Sequence, residues 1–235
     1  MTLWEQDWIG ELPVPVREEV LACMPPRRYA NGETIYRAGE AGAELYRVEQ
    51  GNVRIFNLSQ GGKELLYDLF PPRTCFGEAT LIDGGGRPHT TQAIGEVILR
   101  VMPQEHFERL WQVHPEISWA VARLQTERAR RLYAFYEQVS LDTLCRRIAR
   151  RLCLLARTVG QEREDGIHFD LRITQEDIGC LVAGSRQSVN KVLRQWQAER
   201  VIDLAYGSLL IRELSALEQL ALPVEEPHGG TLSPR

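Results

Sequence analysis

The sequence predicts an α+β chain: a strand-rich N-terminal half, one long helix through the middle, and a small helical unit near the C-terminus. Three observations carry this reading. Between Tyr29 and about Met102, short β-patterned stretches alternate with glycine-rich breaks. After Pro115, the residues Ile117, Val121, Leu124, Leu132, Phe135 and Val139 recur at helical spacing over some seven turns. From Ile173 to Leu193, two short amphipathic segments flank Ala183-Gly184.

In chain order, the segment up to about residue 28 reads as helical, anchored by Trp4, Trp8 and Leu12. Pro13, Pro15, Pro25 and Pro26 break it into short pieces. In the strand-rich part Val53 and Ile55 alternate with Arg54. Gly51-Asn52, Gly61-Gly62, Gly84-Gly85-Gly86 and Gly95-Glu96 fall at intervals that suit hairpin turns, and Val97–Val101 reads as the last strand. Many short strands with glycine turns predict a sandwich or jelly-roll barrel. Pro103 opens a helical stretch through Trp111, and the long helix follows Pro115. A helix of that length with one narrow apolar stripe needs a partner. The readings are a coiled-coil seam in a homodimer and packing on the chain's own barrel, and the two are compatible on different turns. Arg128 falls inside the stripe and interrupts a strict heptad.

Ser140-Leu141-Asp142 predicts a helix end and a hinge. Asp142 is placed to cap a following helix that carries Leu144, Ile148, Leu152 and Leu155. Gly160 to Gly166 reads as a polar loop. Val201–Leu204 and Leu209–Ile211, joined through Tyr206-Gly207-Ser208, read as a small hairpin. The Pro/Gly-rich residues from Pro223 predict disorder. The expected units are therefore 1–114, 115–140, 141–222 and a tail, 223–235.

A length of 235 residues suits two domains, and 43% hydrophobic residues suffice for packed cores. No apolar run is long enough to span a bilayer, and the acidic N-terminus lacks the pattern of a signal peptide. Five cysteines are scattered without a C-x-x-C pair, which predicts reduced thiols, no metal site and a cytoplasmic protein. The net charge of −4 excludes a generic nucleic-acid coat but not a specific reader with a local basic face. Basic residues do crowd the middle third (Arg123, Arg128, Arg130, Arg131, Arg146, Arg147, Arg150, Arg151 and Arg157), where a solvated helix face explains much of the pattern. There is no nucleophile elbow, Walker loop, H-E-x-x-H or dinucleotide fingerprint, so the chain does not read as an enzyme.

The most informative stretch is Ile173–Leu193. Thr174 sits where an N-cap belongs, followed by Glu176 and Asp177 at the positive end of a helix. Ile178, Leu181 and Val182 share one face. Ala183-Gly184 gives a tight turn, and Ser185 can cap a second helix. In that helix Val189, Val192, Leu193 and Trp196 face inward while Arg186, Gln187, Asn190 and Lys191 face out. This is the layout of a helix-turn-helix whose second helix offers its first polar turn to the DNA major groove, and the hairpin that follows makes it a winged helix.

Barrel, long helix, hinge and winged helix in this order resemble the cyclic-AMP receptor protein family, the Crp–Fnr regulators, over about residues 25 to 213. Phe76-Gly77-Glu78-Ala79 with a glycine-rich turn and Arg87 is similar to the family's phosphate-binding cassette. Arg123-Leu124 through Ala129-Arg130-Arg131-Leu132 is similar to its dimer helix, and Ile173–Leu193 to its DNA-reading unit. The resemblance implies a cyclic-nucleotide-binding-like jelly-roll barrel, a dimerisation helix and a winged helix-turn-helix. It implies a homodimeric transcription regulator that binds a palindromic double-stranded promoter site and contacts RNA polymerase.

On the DNA side the resemblance gives Arg186 to guanine and Lys191 to a base or phosphate. Gln187 stands where many relatives carry glutamate, which predicts a departure from the commonest half-site. Thr174, Gln175, Ser185 and Ser188 are candidate phosphate contacts or caps alone. On the effector side it gives Gly77, Glu78, Arg87, His89 and Thr90 from the barrel, and Arg131, Phe135 and Tyr136 from the long helix. Two departures bear on the ligand. Arg87 is followed by Pro88 and His89, where cyclic-AMP binders carry a hydroxyl and a backbone donor, and proline has neither. Phe135-Tyr136 replaces the Thr-Ser that grips the purine across the dimer. Plain cyclic AMP is therefore not expected to be a tight effector. A cyclic dinucleotide or other nucleotide, an unrelated small molecule, or no effector remain, and Glu78 as a ribose-hydroxyl acceptor favours a nucleotide. An iron–sulfur centre is not expected with only Cys23 near the N-terminus, and His89, His106 and His114 read as surface residues rather than haem ligands.

Overall fold

The computed structural model describes residues 6–59, 61, 64–169, 173–205 and 208–222. Trp4, the Tyr206-Gly207 tip and the tail from Pro223 lie outside the described residues.

The N-terminal segment holds one helix, α1 (Val14–Ala22), confined by Pro13 and Pro15 at its start and by Pro25 beyond its end. Trp8 and Leu12 are buried as expected. The strands are β1 (Pro26–Tyr29), β2 (Thr34–Tyr36), β3 (Glu44–Leu58), β4 (Glu64–Phe70), β5 (Cys75–Phe76) and β6 (Thr90–Pro103), with a short helix α2 (Glu78–Asp83) between β5 and β6. All pairings are antiparallel, in the order β1-β6-β3-β4, with β2 also on β6 and β5 on β3. Two of the expected hairpin turns are not turns. β3 runs 15 residues straight through Gly51 and β6 runs 14 residues through Gly95. Both glycines take left-handed φ, +81° and +69°, and the β3–β6 register shifts at Gln50 and Asn52. They are bulges that bend long strands, which glycine permits as readily as a turn.

The barrel interior is aromatic. Tyr46 and Phe76 stack with ring centroids 5.1 Å apart, and Tyr36 and Phe70 lean on Phe76. The His89 ring shares a 3.2 Å hydrogen bond with the Tyr36 hydroxyl.

Next come α3 (Gln104–Val113) and α4 (Pro115–Leu141). Ile117, Ala120, Val121 and Leu124 of α4 are buried against the chain's own N-terminal segment and α3, in a core with Trp8, Ile9, Val20, Met24 and Leu110. Further along, the stripe is uncovered in the single chain at Leu132, 68% exposed, and Phe135, 41%, while Val139 next to the hinge is half-buried. Packing on the chain itself thus accounts for the first half of the stripe.

The hinge differs from expectation in its cap. Thr143, not Asp142, caps α5 (Leu144–Val159), its hydroxyl accepting from the Arg146 backbone N–H at 3.3 Å. Asp142 instead pairs with Arg146 at 2.8 Å and Arg150 at 2.6 Å. Arg147 donates to the Val139 carbonyl at 2.8 Å, and Arg151 reaches Asp68 of β4 at 2.7 Å. This part of the basic cluster therefore binds the hinge together.

The expected polar loop at 160–166 is a hairpin, β7 (Gly160–Arg163) and β8 (Gly166–Phe169). It forms because Ile167 and Phe169 alternate with His168 and turn toward the core. The helices α6 (Gln175–Leu181) and α7 (Arg186–Ala198) follow, then β9 (Ile202–Ala205), β10 (Ser208–Ile211) and α8 (Leu214–Ala221), which the sequence reading did not include. The second sheet has the order β7-β8-β10-β9. Its core gathers Ile148, Leu152, Ile178, Leu181, Leu193, Trp196 and Leu217, and extends to Phe56, Leu66 and Leu69 of the barrel.

Burial, with Arg128 and Arg87 nearby, depresses the His89 pKa to about 4. Between the ordinary value and 4 the unfolded chain binds a proton that the folded chain refuses, so stability falls as pH drops through that window. Replacing His89 by Gln should remove about 2 kcal/mol of the stability loss between pH 7 and pH 5. Urea melts of both proteins at the two pH values read this directly, and equal losses would contradict it.

Candidate nucleic-acid interface and effector site

The turn between α6 and α7 is built locally. Thr174 and Asp177 form a reciprocal capping box: the Thr174 hydroxyl accepts from the Asp177 N–H at 3.0 Å, and the Asp177 carboxylate accepts from the Thr174 N–H at 2.9 Å. Ala183, not Gly184, takes the left-handed conformation, with φ +51°. Gly184 is needed for closeness instead, since a side chain there would meet Leu144 Cδ1 at 2.7 Å. Its N–H donates to the Gly179 carbonyl at 2.8 Å. The Ser185 hydroxyl then caps α7, accepting from the Ser188 N–H at 3.1 Å.

α7 buries Val189, Leu193 and Trp196, leaves Val192 half-buried and exposes Arg186, Gln187, Ser188 and Lys191. Its first turn carries no acidic residue, so Arg186 adds to the positive end of the helix dipole. Asn190, expected to face out, is half-buried and donates to the Gln175 side-chain oxygen, pinning α6 to α7. The hydroxyls of Thr174, Ser185 and Ser188 all serve in the caps.

The barrel residues expected at the effector site are grouped around Arg87. Gly77 has φ +96°, and a side chain there would stand 2.8 Å from Arg87 Nη1. Arg87, 3% exposed, is turned into the barrel: it donates to the carbonyls of Gly77 at 2.9 Å and Glu44 at 2.7 Å, and its Cζ lies 4.4 Å over the Tyr36 ring. Pro88 offers its carbonyl to Asn57, and the Thr90 hydroxyl accepts from the Ala38 N–H. Glu78 has no exposed surface. Its Oε1 pairs with Arg128 and accepts from Gln125 at 2.9 Å.

On the helix half, Arg131 is half-buried beside Glu127, 3.7 Å away, while Phe135 and Tyr136 are exposed in the single chain. Arg128 and Gln125, which contact Glu78, are not among the residues the sequence singles out for the site. The available signal was Arg128 itself, a charge in an apolar stripe. Among the described residues, no group of three or more His, Cys, Asp or Glu side chains is arranged to hold a metal ion.

Comparison with known proteins agrees with this geometry. Residues 26–114 match the cyclic nucleotide-binding domain and residues 146–220 the Crp-like helix-turn-helix domain. The transcriptional regulator LdrP of Thermus thermophilus is 32% identical over 196 residues, covering 83% of this chain and 96% of LdrP. A CRP-like cAMP-activated global transcriptional regulator of Mycobacterium tuberculosis is 29% identical over 198 residues, covering 84% of this chain and 88% of that protein. A crystal structure of a CRP-family transcriptional regulator from Thermus thermophilus superposes with a TM-score of 0.69 at 32% identity, over 83% of this chain and 96% of that one. The c-di-GMP-responsive regulator CLP of Xanthomonas campestris has the same fold, with a TM-score of 0.72 at 22% identity over 85% of this chain and 99% of that one. The chain belongs to the CRP family of transcriptional regulators, which act on DNA through this helix-turn-helix and are not enzymes.

Proposed function

We propose that the chain works as a cytoplasmic homodimer. It lays α7 of each protomer into successive major grooves of a palindromic promoter site, contacts RNA polymerase there, and is controlled by a nucleotide-type effector at the barrel–helix contact. The observation that carries the DNA part is the two-sidedness of α7: Arg186, Gln187 and Lys191 stand exposed opposite a face sealed by Leu193 and Trp196.

Arg186 matches the O6 and N7 acceptors of guanine with two parallel donors. Gln187 can donate as well as accept, so its base pair differs from one read by glutamate. Lys191 serves a base or a phosphate. Gln175 and Ser188 set register on the phosphates with their amide and hydroxyl donors, while Thr174 and Ser185, whose hydroxyls donate within the caps, do so by fixing the two helix starts. A two-fold dimer places the two α7 helices about 34 Å apart, one helical turn of DNA. The uncovered part of α4 supplies the seam, with Leu132 and Phe135 at its centre.

For the effector, Glu78 supports a ribose hydroxyl, with Gly77, Arg87, His89 and Thr90 around it and Arg131, Phe135 and Tyr136 on the helix side. Pro88 offers a phosphate neither hydroxyl nor N–H, so plain cyclic AMP is held weakly and another nucleotide, such as a cyclic dinucleotide, takes its place; a genuine cyclic-AMP-dependent regulator is the alternative. The effector acts by binding one arrangement of barrel, hinge and winged helix more tightly than the other. One observation favours a second reading, a regulator that needs no ligand: Arg87 already gives one donor from each terminal nitrogen to the Gly77 and Glu44 carbonyls.

Arg186→Ala should cost about 1–3 kcal/mol at the cognate site and relax specificity there. Fluorescence anisotropy against cognate and random duplex tests it; equal losses on both would count against base reading. Leu132→Glu should shift the purified chain from dimer to monomer in sedimentation velocity, and a variant that stays dimeric would rule out the seam.

A further inference from the structure

We propose that Arg128 is a positioning residue of the effector site: it holds one oxygen of Glu78 so that the other is presented as the acceptor for a ligand hydroxyl. This rests on the reading of the barrel–helix contact as a nucleotide site and goes beyond it by assigning a residue on α4.

Glu78 is a carboxylate with no exposed surface, which a protein tolerates only when a counter-charge and hydrogen bonds are supplied. Both supplies fall on the same atom. Arg128 Nη1 pairs with Oε1, and Gln125 Nε2 donates to Oε1 at 2.9 Å. Oε2 meets no hydrogen-bond donor among the described residues. A buried acceptor left without a donor is uncommon in folded proteins and calls for an explanation. A hydroxyl arriving with the ligand supplies the missing donor.

The asymmetry is set by the way Arg128 is held. Its Nε donates to the Gln6 side-chain oxygen at 2.9 Å and its Nη2 to the Cys75 carbonyl at 2.8 Å. Three partners from the N-terminal segment, β5 and the cassette fix the plane of the guanidinium. A lysine has no such fork. The Cys75 N–H in turn donates to the Gln6 carbonyl at 3.0 Å, which ties the same three pieces together by backbone. Arg128 and Gln125 are one turn apart on α4, so a ligand that bonds to Glu78 loads the helix that leads to the hinge. This also explains a charge in an otherwise apolar stripe.

The test is the preference for a ribose hydroxyl, which a merely structural ion pair would not change. Full-length protein is titrated calorimetrically with cyclic AMP, cyclic GMP and cyclic di-GMP, each beside its 2′-deoxy counterpart. At least one ribonucleotide should bind the wild type about tenfold or more tightly than its deoxy partner. Arg128→Met should lower affinity for that ribonucleotide by about tenfold and leave the deoxy compound nearly unchanged, so the preference disappears. Arg128→Lys should recover only part of it. Gln125→Leu, which keeps the ion pair, should reduce the preference by a smaller factor and serves if Arg128→Met does not fold. A variant pair that loses affinity equally for both members of each nucleotide pair, or keeps the preference, overturns the positioning role. A wild type that binds none of the six compounds overturns the effector reading itself, and this proposal with it.

Discussion

Arginine–carboxylate pairs join the parts of this molecule to one another. Of 28 basic residues, 26 are arginine, and the planar fork suits half-buried pairing better than a lysine does. Arg128 to Glu78 ties α4 to the barrel, Arg146 and Arg150 to Asp142 tie α5 to the end of α4, and Arg151 to Asp68 ties α5 back to the barrel. These pairs sit where one or both side chains are largely out of water, so salt screens them less than surface pairs. Removing one member leaves an uncompensated charge, worth about 3–5 kcal/mol when fully buried.

With the junctions fixed in this way, the position of α7 follows from α4. α4 packs on the N-terminal segment and α3 through Ile117, Val121 and Leu124, stops at the hinge, and passes its direction to α5 through Asp142. α5 shares one apolar core with α6 and α7. A second, looser tie runs from the barrel to α6, where Asp177 lies 3.8 Å from Arg54 and the Cys180 thiol donates to the Glu64 carbonyl at 3.4 Å. The DNA-reading unit is thus held from two sides, by the helix and by the barrel face. A change at Glu78 has a continuous physical path to α7.

What was readable in the sequence was local. Capping at Thr174 and Ser185, the faces of α7 and the length of α4 depend on residues three to seven apart, and periodicity reports them. The bulges at Gly51 and Gly95 were misread because a left-handed glycine serves a bulge and a turn equally well. Thr143 and Asp142 are adjacent cap-type residues, and only the structure decides that the acid is committed to two arginines. Arg87 is singled out by the resemblance to the family's cassette, but no motif tells that its guanidinium points at the Gly77 and Glu44 carbonyls. Arg128 and Glu78 are separated by 50 residues, and their pairing belongs to tertiary packing. Phe135 and Tyr136 lie on a surface that the chain alone does not cover, so no contact within the chain assigns them a role.

The central claim is that two copies of this chain read base edges with the helix that begins at Arg186. Selection of bound duplexes from a random-sequence library by the purified full-length protein tests it most directly. The account predicts enrichment of an inverted repeat whose half-site centres lie about one helical turn apart. Recovery of a single asymmetric site, or no enrichment over the starting library, would contradict it.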